Sequence, residues 1–177
     1  MHPWHNVDLG KGFPKELNAI IEIPKDSAVQ YHLDDETGLL RLSEVLPGVT
    51  HYPANYGFFP RTLSTDGAAL DIFVLSHASL HPLTLLTVRP IGGAKTLSLR
   101  KGIENKLIGV AVDDPEFAIY KNIDELPKFY LTQLRQFLLQ YKAVKGDKKK
   151  IKSFFSKAEA QKIIRDCSKK YDKKFAK

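Results

Sequence analysis

The chain reads as an α+β protein, mainly β: a small closed β-barrel with two C-terminal helices packed on it. Three observations predict this. From Leu17 to Val112 the apolar residues come in short runs broken by turn residues, the pattern of a small closed or nearly closed barrel. After Asp113-Asp114-Pro115 the apolar period lengthens to that of a helix. The length, 177 residues, fits one compact domain with a genuine core.

Taken in order, residues 1–16 form an extended arm closed by Pro14, with Trp4 between His2 and His5. That trio invites a metal reading, but a tryptophan more often anchors by packing, here onto the barrel. The barrel, residues 17–112, is read from the runs Asn18–Ile23, Leu39–Leu42, Leu70–Leu75, Leu83–Val88 and Leu107–Val112. Asp35-Glu36-Thr37-Gly38, Pro47-Gly48, Asp66-Gly67, His81-Pro82 and Gly92-Gly93 separate them. Residues 113–177 are the helical part. Asp124, Glu125 and Pro127 start a helix whose stripe is Leu131, Leu134, Phe137, Leu138 and Tyr141. A lysine-rich loop, Lys145 to Lys152, follows. Ser156-x-x-Glu159 then opens a second helix in capping-box fashion, with the stripe Ala160, Ile163, Ile164, Cys167 and Tyr171.

Charge is unevenly placed. Residues 143–177 hold 13 Lys and Arg against 4 Asp and Glu, a balance of +9. Residues 1–142 hold 14 against 16, or −2, which together give the +7 of the whole chain. The basic character belongs to the tail, whose point charges with few aromatics read as a solvated face; nucleic acid is not the expected partner. No apolar run approaches the roughly 20 residues that span a bilayer. The N-terminus lacks the basic-then-apolar order of a signal peptide. One cysteine, Cys167, excludes an internal disulfide framework. A cytoplasmic protein without membrane contact is expected.

The organising stretch is Tyr52 to Asp71. Tyr-Pro-x-Asn-Tyr-Gly reads as loop and turn chemistry holding Tyr52 and Tyr56 together, with Asn55 and Gly57 tolerating unusual backbone angles. Asp66 and Asp71 then stand around Gly67, before the run Ile72–Leu75. A carboxylate at a turn and another at a strand mouth can converge on one hard cation. Asp66-Gly67 can equally be no more than a hairpin turn.

With that stretch, the blocks Ile20–Pro24, Leu33–Leu40, Arg89–Gly92, Lys106–Val110 and Gln140–Lys142 make the chain resemble the soluble inorganic pyrophosphatases of the single-barrel, magnesium-dependent type. The resemblance covers nearly the whole chain. It implies an OB-like closed barrel, Mg2+-dependent hydrolysis of inorganic diphosphate to two phosphates, and, as in bacterial members, a homo-oligomer, namely a hexamer. It implies metal ligands at Asp66, Asp71, Glu104 and Glu22. Phosphate contacts are implied at Lys106, Tyr141 and Lys142, and site phenols at Tyr52 and Tyr56. The three phenols can equally persist as packing.

The departures from the family pattern are as informative. Ala68 stands where the family has the carboxylate that accepts a proton from the attacking water. Gln30 and His32 replace a phosphate-binding lysine and a metal-side acid. Ser43-Glu44 replaces an Asp-Arg pair, turning a phosphate-binding arginine into a negative charge. Leu99, Arg100 and Lys101 stand where the acidic loop is expected, and only its last acid survives in kind, as Glu104. Losing one positioned proton acceptor typically costs about 10²–10⁴ in rate. Losing an electrostatic anchor costs about 10²–10³ more, though such losses are not additive. The expectation is a degenerate pyrophosphatase, weak or inactive, that holds fewer Mg2+ ions than the family norm, one or none.

Two alternatives remain open on the residues. Arg100 and Lys101 can hold phosphate directly while His32 takes a softer metal or acts as a base; or Arg100 pairs with Glu44 across the old site and the swapped charges cancel. The first of these keeps chemistry alive; a second class of function is a non-catalytic phosphate- or diphosphate-binding or assembly protein built on the same fold. Anionic-polymer binding through the lysine-rich tail is a third class of function.

Overall fold

A computed structural model describes residues 1–98, 102–141 and 149–175. Among these, a single helical turn, α1 (Pro3–Asn6), precedes seven strands: β1 (Leu17–Ile23), β2 (Val29–Leu33), β3 (Leu40–Val45), β4 (Asn55–Phe59), β5 (Leu70–Leu75), β6 (Leu85–Ser98) and β7 (Gly102–Ala111). Helix α2 (Lys128–Gln140), strand β8 (Lys149–Ser156) and helix α3 (Lys157–Phe175) complete the chain.

Strand order β1-β4-β5-β7-β6 closes on itself because β6 also pairs with β1, Leu17 opposite Val88 through Ile20 opposite Leu85. Only β5 and β7 run parallel within this ring. The result is a five-stranded OB-like barrel with an extra strand, β8, on β6, and with β2 and β3 forming a separate hairpin. Among the described residues, closure leaves the five-stranded ring without a free edge, and β8 adds to it along β6.

The strands follow from their side chains. β5 is buried from Ile72 to Leu75, and β7 from Lys106 to Ala111, the continuous burial of strands covered on both faces. Two large cores result. One joins Tyr52, Phe73, Ile91 and Ile108 to Leu134, Phe137 and Leu138 of α2. The other joins Phe59, Ile72 and Leu107 to Ala160, Ile164 and Cys167 of α3. Both helix stripes expected from periodicity are thus the buried faces.

Four local readings need correction. Asn55 and Gly57 do not take unusual backbone angles; they lie in β4, and neither has a positive φ. Glycine is required at 57 because a Cβ there would lie 1.9 Å from the Ile20 carbonyl oxygen on β1. Gly92-Gly93 interrupts no strand: it sits inside β6, just after a register shift between Pro90 and Gly92. The lysine-rich stretch is not all loop, since Lys149 begins β8; residues 145–148 lie outside the described residues. Finally, the capping box at α3 is only half made. Ser156 Oγ accepts from the Glu159 amide at 3.4 Å, but the Glu159 carboxylate instead meets Lys95 Nζ at 2.6 Å on β6.

Candidate active site

The mouth of the barrel opens into a cavity of about 500 Å³ between the β2–β3 hairpin, the β4–β5 loop and the end of α2. Strand geometry aims the carboxylates into it. Glu22 comes from β1 and Asp71 from the start of β5. Glu104 and Lys106 are two apart on β7, so the alternation of a strand puts both on one face. Asp66 and Ala68 stand on the loop between β4 and β5, where Gly67 turns at φ +87° and the Ala68 amide donates to Asp66 Oδ1 at 3.3 Å.

The phenols form the back wall. Tyr52 is 2 % exposed, and its ring lies 5.6 Å from Tyr56 and 4.6 Å from Phe137. Phe137 in turn stacks on Tyr141 at 4.7 Å and 12°. Tyr52, Tyr56 and Tyr141 all line the cavity, so packing and exposure to the cleft are not exclusive.

At the centre Lys106 donates to the Asp71 carboxylate, and to the Tyr56 hydroxyl at 3.1 Å. Burial alone would pull the Lys106 pKa down, but Asp71, Tyr141 and Glu104 outweigh it and hold the ammonium charged. Burial pushes both Tyr52 and Tyr56 up, so their hydroxyls stay protonated as donors. Glu22 is lifted to about 8, first by burial and then by the Asp71 charge, while its Oε1 accepts from the Leu33 amide at 2.6 Å.

Gln30 and His32 line the same cavity from β2. His32 Nδ1 meets Ser43 Oγ at 2.5 Å. Glu44 sits on β3 opposite Gln30. Leu99, Arg100, Lys101 and Lys142 lie outside the described residues, and with them the pairing of Arg100 with Glu44.

Among the wall residues that sequence reasoning did not place in the site are Trp4, Asp35 and Glu36. The available signal was Asp34-Asp35-Glu36, three acids in a turn between two short strands. Asp34 is consumed by the turn itself, accepting from the Thr37 amide and hydroxyl and from Arg41 at 2.7 Å, which hold its carboxyl well below the usual range. The donor set suits a hard divalent cation, since carboxylate oxygens dominate it. Among the described residues no three His, Cys, Asp or Glu side chains already stand close enough to cage an ion. The fit is therefore one of donor chemistry.

Fold and cleft together define a barrel protein whose acidic, lysine-bearing mouth is suited to hard cations and oxyanions. Residues 19–172 match the profile of the family described as inorganic pyrophosphatase. Soluble inorganic pyrophosphatase 2 of Chlamydomonas reinhardtii is 35 % identical over 174 residues, covering 98 % of this chain and 90 % of its own. Soluble inorganic pyrophosphatase 1 of Arabidopsis thaliana is 36 % identical over 163 residues, 92 % and 76 % of the two chains. The crystal structure of the Thermus thermophilus inorganic pyrophosphatase superposes with a TM-score of 0.92 at 31 % identity, covering 96 % of this chain and 99 % of that one. The chain belongs to the inorganic pyrophosphatase family.

Proposed function

We propose that this chain binds inorganic diphosphate with a divalent cation, by preference Mg2+, in the barrel-mouth cleft and hydrolyses it weakly or not at all. Binding is supported by the family and by the cluster of Asp71, Lys106 and Tyr56. In this reading Asp66, Asp71, Glu104 and Glu22 hold the cation, while Lys106, Tyr141 and Lys142 grip phosphate. A cation bound there would neutralise phosphate charge and acidify a water molecule. The observation that carries impaired turnover is Ala68: a methyl group on the cleft wall, between Asp66 and Asp71, where a proton acceptor is expected.

One contact favours a second reading in which turnover survives. His32 Nδ1 and Ser43 Oγ share a 2.5 Å hydrogen bond, and in the tautomer whose Nδ1–H donates to Ser43 Oγ, Nε2 is left as a base in the same cavity.

Phosphate release from diphosphate with Mg2+, then Mn2+ and Zn2+, beside an Asp71→Ala control, tests both. Release no faster than the control, with diphosphate binding retained in calorimetry, supports the first reading. Fast release abolished by Asp71→Ala and by His32→Ala supports the second. Absence of any diphosphate binding would sink both. A hexamer and a cytoplasmic location belong to the same proposal. Light scattering showing a 20.0 kDa species alone would remove the hexamer. Among the described residues no helix is long and apolar enough to cross a membrane.

A further inference from the structure

The N-terminal arm does more than cover the barrel. Trp4 is 4 % exposed and packs with Ile20 and Phe58 of the barrel, Leu33 of β2, Leu63 of the β4–β5 loop and Tyr171 of α3, while also lining the cleft. Its indole N–H donates to the Thr62 carbonyl at 2.8 Å, and its carbonyl accepts from the Arg61 amide at 2.9 Å. These bonds grip the loop that carries Asp66 and Ala68.

The other cleft wall is gripped by the residues on either side. His2 Nε2 donates to the Asp35 carbonyl at 3.1 Å, in the turn that presents Asp35 and Glu36 to the cavity. Gly38, at φ +69°, lies so close beneath the arm that a Cβ would stand 3.1 Å from both the His2 and the Pro3 rings. The arm is tied down from behind. His5 Nδ1 and the Tyr171 hydroxyl share a 2.6 Å hydrogen bond, the His5 ring stacks on Trp4 at 4.6 Å, and Phe175 meets Trp4 edge-on at 5.5 Å.

We propose that residues 2–7 act as a strap that sets the spacing between the acidic β2–β3 turn and the β4–β5 loop, with Trp4 as the positioning residue and α3 as the post to which the strap is fastened. The hairpin needs such a device. Among the described residues β2 and β3 pair only with each other, so no ladder to the barrel fixes where their turn sits over the cleft. The strap therefore governs how many carboxylates face a cation at once. This rests on the reading of the cleft as a cation and diphosphate site.

The test uses the full chain with Trp4→Ala, Trp4→Phe and His2→Ala, the last touching only the rim. Amide hydrogen exchange in the ligand-free protein is expected to quicken roughly tenfold or more at residues 34–38 in both alanine variants. In Trp4→Ala it should quicken at residues 61–69 as well, with β6 and β7 unchanged. Mn2+ affinity, read from free Mn2+ by electron paramagnetic resonance, is expected to weaken several-fold in both and to recover in part in Trp4→Phe, which keeps a ring in the packing but loses the indole bond to Thr62. Faster exchange confined to residues 1–8 and the end of α3 would overturn the strap. So would faster exchange at the turn with unchanged Mn2+ affinity. If the unsubstituted chain binds no Mn2+, the cleft reading fails, and the exchange pattern alone decides the strap.

Discussion

Lys106 and Asp71 form an ion pair inside the barrel mouth, with side chains 8 % and 26 % exposed, and the Tyr56 hydroxyl completes the contact. The pair joins a residue proposed to hold phosphate to one proposed to hold a cation. In the metal-free protein the ammonium supplies the positive charge that the Asp71 carboxylate requires, while the nearby Glu22 keeps its proton near neutral pH. Removing it leaves the Asp71 carboxylate without its counter-charge in a poorly solvated site.

Lys106→Met is therefore expected to destabilise the metal-free protein by about 2–4 kcal/mol, somewhat below the usual range for a broken buried pair because Asp71 keeps some solvent. Thermal melts with and without Mg2+ check this. Mg2+ should return part of the loss in the variant. A variant that melts with the parent chain in the absence of Mg2+ would show that the pair contributes nothing to folding.

Glu22 makes stability depend on pH. Its folded pKa, about 8, lies above its ordinary 4.5, so between those values the folded metal-free protein holds a proton that the unfolded chain releases. Stability is then fully present below about pH 4.5 and falls as pH rises towards 8, at up to about 1.4 kcal/mol per pH unit. Glu22→Gln keeps an acceptor for the Leu33 amide and removes the titration. The variant should melt close to the parent at pH 4.5 and clearly above it at pH 8. Mg2+ added to the parent at pH 7 should release a proton into a weakly buffered solution, because a ligating carboxylate must ionise.

Ala68 is exposed on the loop, so a carboxylate can be placed there without burying charge. Ala68→Asp is expected to raise phosphate release from magnesium diphosphate about 10²-fold, the lower end of what one positioned proton acceptor supplies. Steady-state phosphate release measures it, with Ala68→Asn separating charge from size. An unchanged rate in Ala68→Asp would place the defect at Gln30, His32 and Glu44 instead.

Gly57 admits no side chain. The Ile20 carbonyl would stand 1.9 Å from a Cβ, and both partners are backbone in the β1–β4 ladder. Gly57→Ala should cost at least about 3 kcal/mol, above the usual range for overpacking because no rotamer relieves the clash. Chemical denaturation of the variant checks this, and a cost below 1 kcal/mol would mean that β4 moves freely against β1.

Local signals carried much of the fold. The stripes of α2 and α3, the apolar runs of β5 and β7 and the turn at Asp66-Gly67 were legible because each is set by residues a few positions apart. Features that depend on remote partners were not. β4 read as a loop because its asparagine and glycine, and the Pro53 just before it, are turn formers. Yet Asn55 is fully buried and bonds the Lys25 amide at 3.0 Å, the Leu80 amide at 2.8 Å and the Ala78 carbonyl at 3.0 Å, tying three chain segments together. β8 read as loop because its alternation is masked by lysines, and only its pairing with β6 makes it a strand.

The same division runs through the site. By itself the sequence determined which chemical groups are present: the carboxylates of Glu22, Asp66, Asp71 and Glu104, the cation of Lys106, the phenols, and the missing acid at Ala68. These are matters of covalent composition and short spacing. Tertiary structure alone decided that Lys106 neutralises Asp71 across 35 positions, that Glu22 is buried enough to hold a proton near neutrality, and that Trp4 stands in the cleft wall. Charge, solvation and contact depend on what the closed barrel brings near, and no local pattern encodes that distance.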